Sequence, residues 1–130
     1  MAEHIIKTAS SDQMLNITSQ VRQDVQESGV TDGVVVVFVP HTTAGVTINE
    51  NADPDVVYDL LDTFRRVYPE SRTYRHMEGN SHAHAKASMI GSSCTVIIED
   101  GQMKLGTWQG IYFCEFDGPR TRKFYVKIIS

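Results

Sequence analysis

Length, composition and charge exclude several classes of protein. A chain of 130 residues has room for one domain, and its 41% hydrophobic and 22% charged residues are typical of a folded globular protein rather than a disordered one. The formal net charge of -4 argues against a nucleic-acid-binding domain, which usually carries an excess of lysine and arginine. We therefore expect a single domain spanning residues 1–130.

The chain shows no signal for export or for membrane insertion. No apolar run approaches the roughly 20 residues that cross a bilayer, and the stretch from Met1 to His4 lacks the basic and then apolar pattern of a signal peptide. Cys94 and Cys114 lie within apolar stretches, which favours two buried, reduced thiols over a disulfide or a redox pair. These features predict a cytoplasmic protein whose partners include neither membrane nor nucleic acid.

Hydrophobic periodicity predicts two short helices near the N-terminus and the middle of the chain. The first covers Ser19 to Ser28, with Thr18 as its N-cap and Gly29 in the left-handed position that often follows a last turn. The other covers His82 to Ile90 and ends at Gly91.

A longer helix is predicted between these two. Asp53-Pro54 opens it, because aspartate is a preferred N-cap and proline fits the first turn. The helix ends before Pro69, and its apolar residues form one stripe with helical spacing: Val57, Leu60, Leu61, Phe64 and Val67.

The remaining elements are predicted to be strands. Val34 to Val39 is apolar at every position, which indicates a strand covered on both faces, and Pro40 ends it. Asp100-Gly101 is a strong two-residue hairpin signal, and we expect Trp108 to lie in the core rather than at a subunit contact. The helices should therefore pack against one side of a curved, mostly antiparallel sheet in an α+β fold. The later strands are Cys94 to Glu99, Gln102 to Leu105, Thr107 to Phe116 and Arg122 to Ile129.

Candidate catalytic groups follow the valine-rich strand, in the segment from Pro40 to Asp53. This segment contains the imidazole of His41, the hydroxyl of Thr43 and the carboxylate of Glu50. A site at the end of a core strand is held rigid by the sheet beneath it. Asp53 has an alternative role as a helix cap, whereas Glu50 has no evident structural role and is the better candidate for general acid or base catalysis.

Three of the five histidines lie between residues 76 and 84. Neutral imidazole is the commonest side-chain metal ligand, and three imidazoles with an open fourth position form a catalytic zinc arrangement. His82 and His84 are two residues apart, so on a helix they point in nearly opposite directions and only one can face a given ion. We select His84, with His76 from the preceding loop and His41 from the strand end; surface or hydrogen-bonded histidines are the alternative.

Two stretches predict a site for phosphate. If Asn80 or Ser81 caps the third helix, the free N–H groups of its first turn can bind an anion, and Lys86 and Ser88 can add a cation and a donor. The stretch from Glu115 to Arg120 follows a strand and ends in a rigid turn that presents a planar guanidinium group. An ordinary capped helix and a turn stabilised by an Asp–Arg pair are the alternatives.

Four blocks of sequence together resemble the YjbQ family, whose members are also named secondary thiamine-phosphate synthases. The resemblance covers essentially the whole chain, and the last block, together with residues 115–120, is highly specific. The blocks are His41-Thr42-Thr43-Ala44-Gly45, Asn49-Glu50-Asn51-Ala52-Asp53-Pro54, Gly79-Asn80 through Ala83-His84-Ala85-Lys86-Ala87-Ser88, and Leu105-Gly106-Thr107-Trp108-Gln109-Gly110-Ile111.

The resemblance implies a half-barrel of mixed sheet assembled as a homotrimer. It also implies a divalent metal, most naturally zinc, held by histidines near a subunit boundary. The implied reaction joins an aminopyrimidine diphosphate to a thiazole phosphate, giving thiamine phosphate and pyrophosphate. Positions that match the family's pattern are His41, His76, His84, Glu50, Asp53, Asn80 and Lys86.

These inferences give one set of candidate residues and three functional hypotheses. The first is the transferase. The second is a zinc-dependent hydrolase of a phosphorylated or cyclic metabolite. It is considered because diphosphate departure usually employs magnesium bound by carboxylates, whereas zinc held by histidines suits hydrolysis. The third is a non-catalytic trimer that binds an anion. The candidate catalytic residues are Glu50, Asp53 and Glu115; the candidate phosphate ligands are Thr43, Asn80, Lys86, Ser88 and Arg120; and the candidate metal ligands are His41, His76 and His84.

Overall fold

Eight strands and three helices form the fold, as described by a computed structural model that covers residues 1–130. None of the helices combines the length and the apolar character needed to cross a lipid bilayer. The helices are α1 (Thr18–Ser28), α2 (Pro54–Val67) and α3 (Ser81–Ile90). The strands are β1 (Ala2–Lys7), β2 (Gln13–Asn16), β3 (Asp32–Phe38), β4 (Ala44–Glu50), β5 (Ser93–Glu99), β6 (Gln102–Met103), β7 (Gln109–Glu115) and β8 (Thr121–Ile129).

The strands divide into two antiparallel sheets. One has five strands in the order β1-β8-β3-β5-β6, and the other has three in the order β2-β7-β4. The predicted α+β class, with three helices and a curved antiparallel half-barrel, is confirmed. The mixed character that the resemblance implied is absent, because every pair of neighbouring strands is antiparallel.

The helices agree with the prediction, but the start of α1 differs. Asp53 caps α2 as expected, because its side chain accepts a hydrogen bond from the Asp55 N–H at 2.9 Å. Thr18 lies inside α1 and is not its cap: its N–H and hydroxyl both donate to the side chain of Asn16, and its hydroxyl accepts from the Ile111 N–H. Thr18 therefore ties the first turn of α1 to β7.

Strand β7 contributes side chains to two separate clusters of apolar residues. The larger cluster lies between the two sheets and α1, and the smaller one lies under α2 and α3. Consequently β7 is covered on both faces, and the residues from Gly110 to Phe116 are all buried. The expectation that β3 is covered on both faces was wrong: Val35 and Val37 are buried, but Phe38 is 44% exposed because nothing in the chain packs on the outer side of this sheet.

Three strands received no range from the sequence, and one side chain was assigned to the wrong environment. The segment after Pro40, which we treated as a polar loop, contains β4, and neither β1 nor β2 was assigned a range. Trp108, expected in the core, is 63% exposed in the turn before β7. The cysteines agree with the prediction of free thiols, and burial raises the pKa of Cys114 to about 12.

A contact between two glycines brings α3 against β4. The Val46 N–H donates to the carbonyl of Gly91, the residue after α3, at 3.1 Å. A Cβ atom on Gly45 would lie 2.5 Å from that carbonyl oxygen, closer than any side chain tolerates. The absence of a side chain at residue 45 therefore allows the helix to pack this closely.

Gly45→Ala should destabilise the protein by about 1–3 kcal/mol, because the added methyl group meets backbone atoms that can move only together with α3. Urea denaturation measures the free energy of unfolding. Gly106→Ala is a matched control, since a Cβ there would meet only the flexible Gln109 side chain at 3.3 Å. Equal stability of the two variants would contradict the proposed packing constraint.

Candidate active site

Loops and element ends meet in a polar cleft at one edge of the two sheets. The cleft has a volume of about 430 Å³, and apart from Pro40 every side chain that lines it is polar or charged. We call it the histidine cleft, because three of the five histidines line it. Its walls come from the β3–β4 turn, the α2–α3 loop, the start of α3 and the β7–β8 turn: Pro40, His41, Thr42, Thr43, His76, Glu78, Asn80, His84, Asp117, Arg120 and Arg122.

A buried ion pair forms the floor of the histidine cleft. Arg122 at the start of β8 donates through Nε and Nη2 to the two carboxylate oxygens of Glu115 at the end of β7. Arg122 Nη2 also donates to the Thr43 hydroxyl at 2.8 Å, and the Thr8 hydroxyl donates to Glu115 at 2.7 Å. This network therefore joins the ends of four strands from both sheets.

Glu115, a predicted catalytic residue, is fully buried. Burial alone would raise its pKa, but the hydrogen bonds from Arg122, Thr8 and the Asp117 N–H outweigh burial and hold the pKa below the ordinary carboxyl value. Its oxygens are occupied by these donors, so the structure gives Glu115 no free lone pair directed at a substrate. Its visible role is to position Arg122 and the β7–β8 turn.

The orientation of the His41 ring is fixed by a hydrogen bond from the backbone of β8. The Lys123 N–H donates to His41 Nε2 at 3.0 Å, so in the neutral ring the proton is on Nδ1. Burial and the positive charge of Arg122 lower the pKa of His41 below its ordinary value. The ring is therefore held neutral, which is the form that binds metals, but Nε2 becomes a ligand only if the bond to Lys123 is released.

His76 and His84 are neighbours within the histidine cleft. Their ring centroids are 5.5 Å apart and nearly perpendicular, and His76 Nε2 lies 3.9 Å from the Glu78 carboxylate. The donor chemistry fits a later transition metal such as zinc. The spacing of the side chains does not fit such an ion in this structure, because no three histidine, cysteine, aspartate or glutamate side chains are arranged to hold one.

Asn80 leaves an unused acceptor at the histidine cleft. Its Nδ2 donates to Asp117 at 2.9 Å, which fixes the amide orientation because the reverse orientation would place two oxygens together. Its Oδ1 is buried without a hydrogen-bond partner. Asn80 occupies the N-cap position of α3, but its side chain makes no capping hydrogen bond. The same Asp117 carboxylate accepts from Arg120, so Arg120 is the arginine of an Asp–Arg turn.

The two remaining predicted phosphate ligands on α3 have different surroundings. The Lys86 ammonium is 3% exposed and donates to Asp12 at 3.1 Å, so it lies beneath the helix rather than in the cleft. Ser88 lines an adjoining cavity that shares His41 and His84 with the histidine cleft. His82 does not line the cleft; its Nε2 lies 3.5 Å from Glu70.

Glu50 and Asp53 lie at the far end of β4. Ala44, next to the histidine cleft, pairs with Glu115, whereas Glu50 pairs with Gln109. Six residues of strand span about 20 Å, so within one chain neither carboxylate reaches the imidazoles. Glu50 instead adjoins Tyr112, whose pKa is raised by burial and by the Glu50 charge and whose hydroxyl donates to the Glu50 carbonyl.

Sequence reasoning missed Arg122 as part of the site. The signal was present, because Arg122, Phe124 and Val126 alternate along β8 and all three are buried. An arginine on the apolar face of a strand requires a buried partner, which Glu115 provides. Glu78 was also missed, and its exposed position in a loop gives no comparable signal.

The fold and the histidine cleft define a small α+β protein with a polar, imidazole-lined site, and comparison with known proteins assigns it to a family. A family model described as "UPF0047 protein YjbQ-like" matches residues 2–130. UPF0047 protein YugU of Bacillus subtilis is 58% identical over 126 residues, which is 96% of each chain. A UPF0047 protein of Methanocaldococcus jannaschii is 53% identical over 96% of this chain and 91% of its own.

Solved structures agree with this assignment. An uncharacterized conserved protein of the YjbQ/UPF0047 family from Clostridium acetobutylicum has a TM-score of 0.97 and 61% identity, covering 99% of this chain and 100% of that one. A protein of unknown function from Sulfolobus solfataricus has a TM-score of 0.94 and 33% identity, covering 98% and 94%. The chain belongs to the YjbQ family, as its motifs predicted. The names of these relatives state the family and no specific activity.

Glu115→Gln should destabilise the protein by about 3 kcal/mol at neutral pH, because it leaves the buried Arg122 without its counter-charge. The native pKa of Glu115 lies below its unfolded value, so the carboxylate's stabilisation is complete above the ordinary carboxyl pKa and is lost as pH falls through the native pKa. The difference from wild type in urea denaturation should therefore shrink on acidification. Glu99→Gln, on an exposed ion pair with Lys104, is the control and should change stability by less than about 1 kcal/mol. A pH-independent difference would contradict this interpretation.

Proposed function

We propose that the histidine cleft is the active site of a metal-dependent enzyme that acts on a phosphorylated small molecule. The observation that carries the proposal is the convergence of three imidazoles and two guanidinium groups on one predominantly polar cleft. The reaction is the transfer typical of thiamine phosphate synthesis. A carbon of the aminopyrimidine gains a bond to the thiazole nitrogen, and its C–O bond to the diphosphate breaks with the electron pair leaving on pyrophosphate.

A divalent metal, zinc by its ligand chemistry, is the proposed cofactor. His76 and His84, whose rings are already adjacent, are the proposed ligands, with His41 as the third. The α2–α3 loop that carries His76 is exposed throughout residues 69–79, so it can adjust with little loss of packing. The unpartnered Oδ1 of Asn80 supports the proposal, because a buried acceptor favours a cation or a donor beside it.

The charges of the histidine cleft support the need for an added cation. Arg122 is paired with Glu115 and Arg120 with Asp117, so an anionic substrate meets little unpaired positive charge. A bound divalent ion would supply that charge and stabilise pyrophosphate as it leaves.

Other residues of the chain act by binding and by positioning. Arg120 is half exposed and is the proposed direct ligand of a substrate phosphate. Thr43 is held by Arg122 and lines the cleft. Lys86 acts indirectly in this proposal, because its ion pair with Asp12 fixes the helix that carries His84.

A zinc-dependent hydrolase is the second candidate function. The observation that favours it is the donor set itself: imidazole favours zinc, and zinc activates water near neutral pH. Glu78 lies beside His76 in the same cleft and is the available carboxylate for a proton transfer from water.

A homotrimer is the proposed assembly, and the outer face of the five-stranded sheet supports it. This face exposes apolar residues around a cavity of about 420 Å³. Contiguous apolar surface of this kind usually marks a protein contact. Lys127 also lines this cavity, and the apolar residues of the outer face are Met1, Ile5, Val36, Phe38, Ile97, Tyr125 and Ile129.

Assembly also bears on Glu50. Since Glu50 lies about 20 Å from the imidazoles of its own chain, its proposed role as general base requires a neighbouring protomer to bring it to the histidine cleft. Asp53 is committed to capping α2 and has no independent support as a catalytic group.

His84→Ala should lose stoichiometric zinc, measured by elemental analysis of the purified protein, and should lower turnover of the two phosphorylated precursors by at least about 100-fold. His82→Ala is the matched control, because residue 82 is on the same helix but outside the cleft. A thermal melt checks that both variants fold. Wild type without bound metal and without turnover would contradict the proposal and leave the non-catalytic anion-binding protein.

Phe38→Glu should convert the homotrimer to monomers, because it places a charge among the apolar side chains of the outer face. Sedimentation velocity measures the assembly state. Val67→Glu, at the exposed end of α2, is the control for adding a charge at an exposed apolar position. A wild-type protein that sediments as a monomer would contradict the assembly.

A further inference from the structure

Two cavities of contrasting chemistry lie on either side of a wall formed by His41, Thr42 and His84. One is the histidine cleft, and the other, with a volume of about 380 Å³, we call the hydroxyl cavity. Apart from the two imidazoles of the shared wall, no ionisable side chain lines the hydroxyl cavity. Its residues are His41, Thr42, Ala44, His84, Ala87, Ser88, Gly91 and Ser92.

The hydroxyl cavity is suited to a neutral polar group. The side chains of Thr42, Ser88 and Ser92 are solvent-exposed, so their hydroxyls can exchange water for a ligand. Each hydroxyl both donates and accepts, which suits ring nitrogens, amines and alcohols alike. The buried side chains of Ala44 and Ala87 provide a small apolar floor. A second phosphate would find no cation here.

One face of α3 connects the two cavities. Asn80, His84 and Ser88 are spaced four residues apart and therefore lie on the same side of the helix. Asn80 lines the histidine cleft, His84 lines both cavities, and Ser88 lines the hydroxyl cavity. The close packing of Gly45 against Gly91 holds this face toward the β3–β4 turn.

We propose that the ligand of this protein spans both cavities, with an anionic phosphoryl group on the Arg120 side and a small, neutral, polar head group in the hydroxyl cavity. This inference rests on the proposed function for the identity of the anionic end. It adds the chemistry of the other end of the ligand, which the residues of the histidine cleft do not define. The bond that joins the phosphoryl group to the head group then lies beside His41 and His84. We therefore place the reactive centre at these two imidazoles. Ser88 is a specificity-determining residue for the head group.

The test separates the two ends of the ligand. Isothermal titration calorimetry on the full-length protein as purified compares inorganic phosphate with about twenty phosphomonoesters, half with neutral polar head groups and half with charged ones. The variants are Ser88→Leu, which fills the hydroxyl cavity, and Arg120→Gln, which weakens the anionic end. Ser19→Leu, at an exposed serine of α1 remote from both cavities, controls for adding a leucine to a helix surface.

We expect the best neutral-head ester to bind wild type at least about tenfold more tightly than inorganic phosphate. Ser88→Leu should remove that advantage and leave the affinity for inorganic phosphate unchanged, whereas Arg120→Gln should weaken both probes alike. Ser19→Leu should match wild type.

Three results would each overturn the inference: no neutral-head ester exceeds inorganic phosphate, charged-head esters bind best, or Ser88→Leu retains the full advantage. The proposed function fails separately. A protein with the expected binding pattern but no turnover and no metal contradicts the enzyme while the two-cavity ligand stands.

Discussion

The Glu115–Arg122 ion pair holds the two sheets together at the edge where the histidine cleft lies. Glu115 ends a strand of one sheet, Arg122 begins a strand of the other, and Thr8 and Thr43 extend the network to two further strands. Both charges are almost fully removed from water, which is favourable only when nearly every donor and acceptor is paired. The pair therefore allows one arrangement of the connecting turn, and that turn carries Asp117 and Arg120 into the cleft. It also sets the electrostatics of the site, because Arg122 helps to keep His41 neutral.

A second constraint, the glycine contact between β4 and the end of α3, determines how the space around the histidines is divided. With the helix this close, its polar face stands opposite the β3–β4 turn, and His41 and His84 separate a charged cavity from a neutral one. The buried Lys86–Asp12 pair restrains the same helix from below. Both restraints act on a segment that buries few large apolar side chains, since its buried apolar residues are Ala83 and Ala87 and its Ile90 is only partly buried against the same cluster. The helix is thus positioned mainly by close backbone contact and by charge.

Local signals in the sequence were sufficient for the helices, but not for long-range pairing. The cap and apolar stripe of α2, the Asp100-Gly101 hairpin and the opposite directions of His82 and His84 all follow from local geometry, and the three selected histidines do line one cleft. β4 escaped prediction although Ala44, Val46 and Ile48 alternate along it, because the polar groups of this segment were interpreted as those of a catalytic loop. Missing that strand hid the distance between Glu50 and His41. Lys86 was taken for an exposed cation because its partner, Asp12, is 74 residues away in the chain.

The proposed metal site requires imidazoles from two distant stretches of the chain to meet around one cation. Diffraction from crystals grown with zinc, recorded above and below the zinc absorption edge, tests this requirement because the anomalous signal locates the ion and its ligands together. We expect a single strong anomalous peak in the histidine cleft, within about 2.1 Å of nitrogen atoms from His76, His84 and His41. A cleft without an anomalous peak, or rings that remain too far apart to share an ion in the assembled protein, would contradict it.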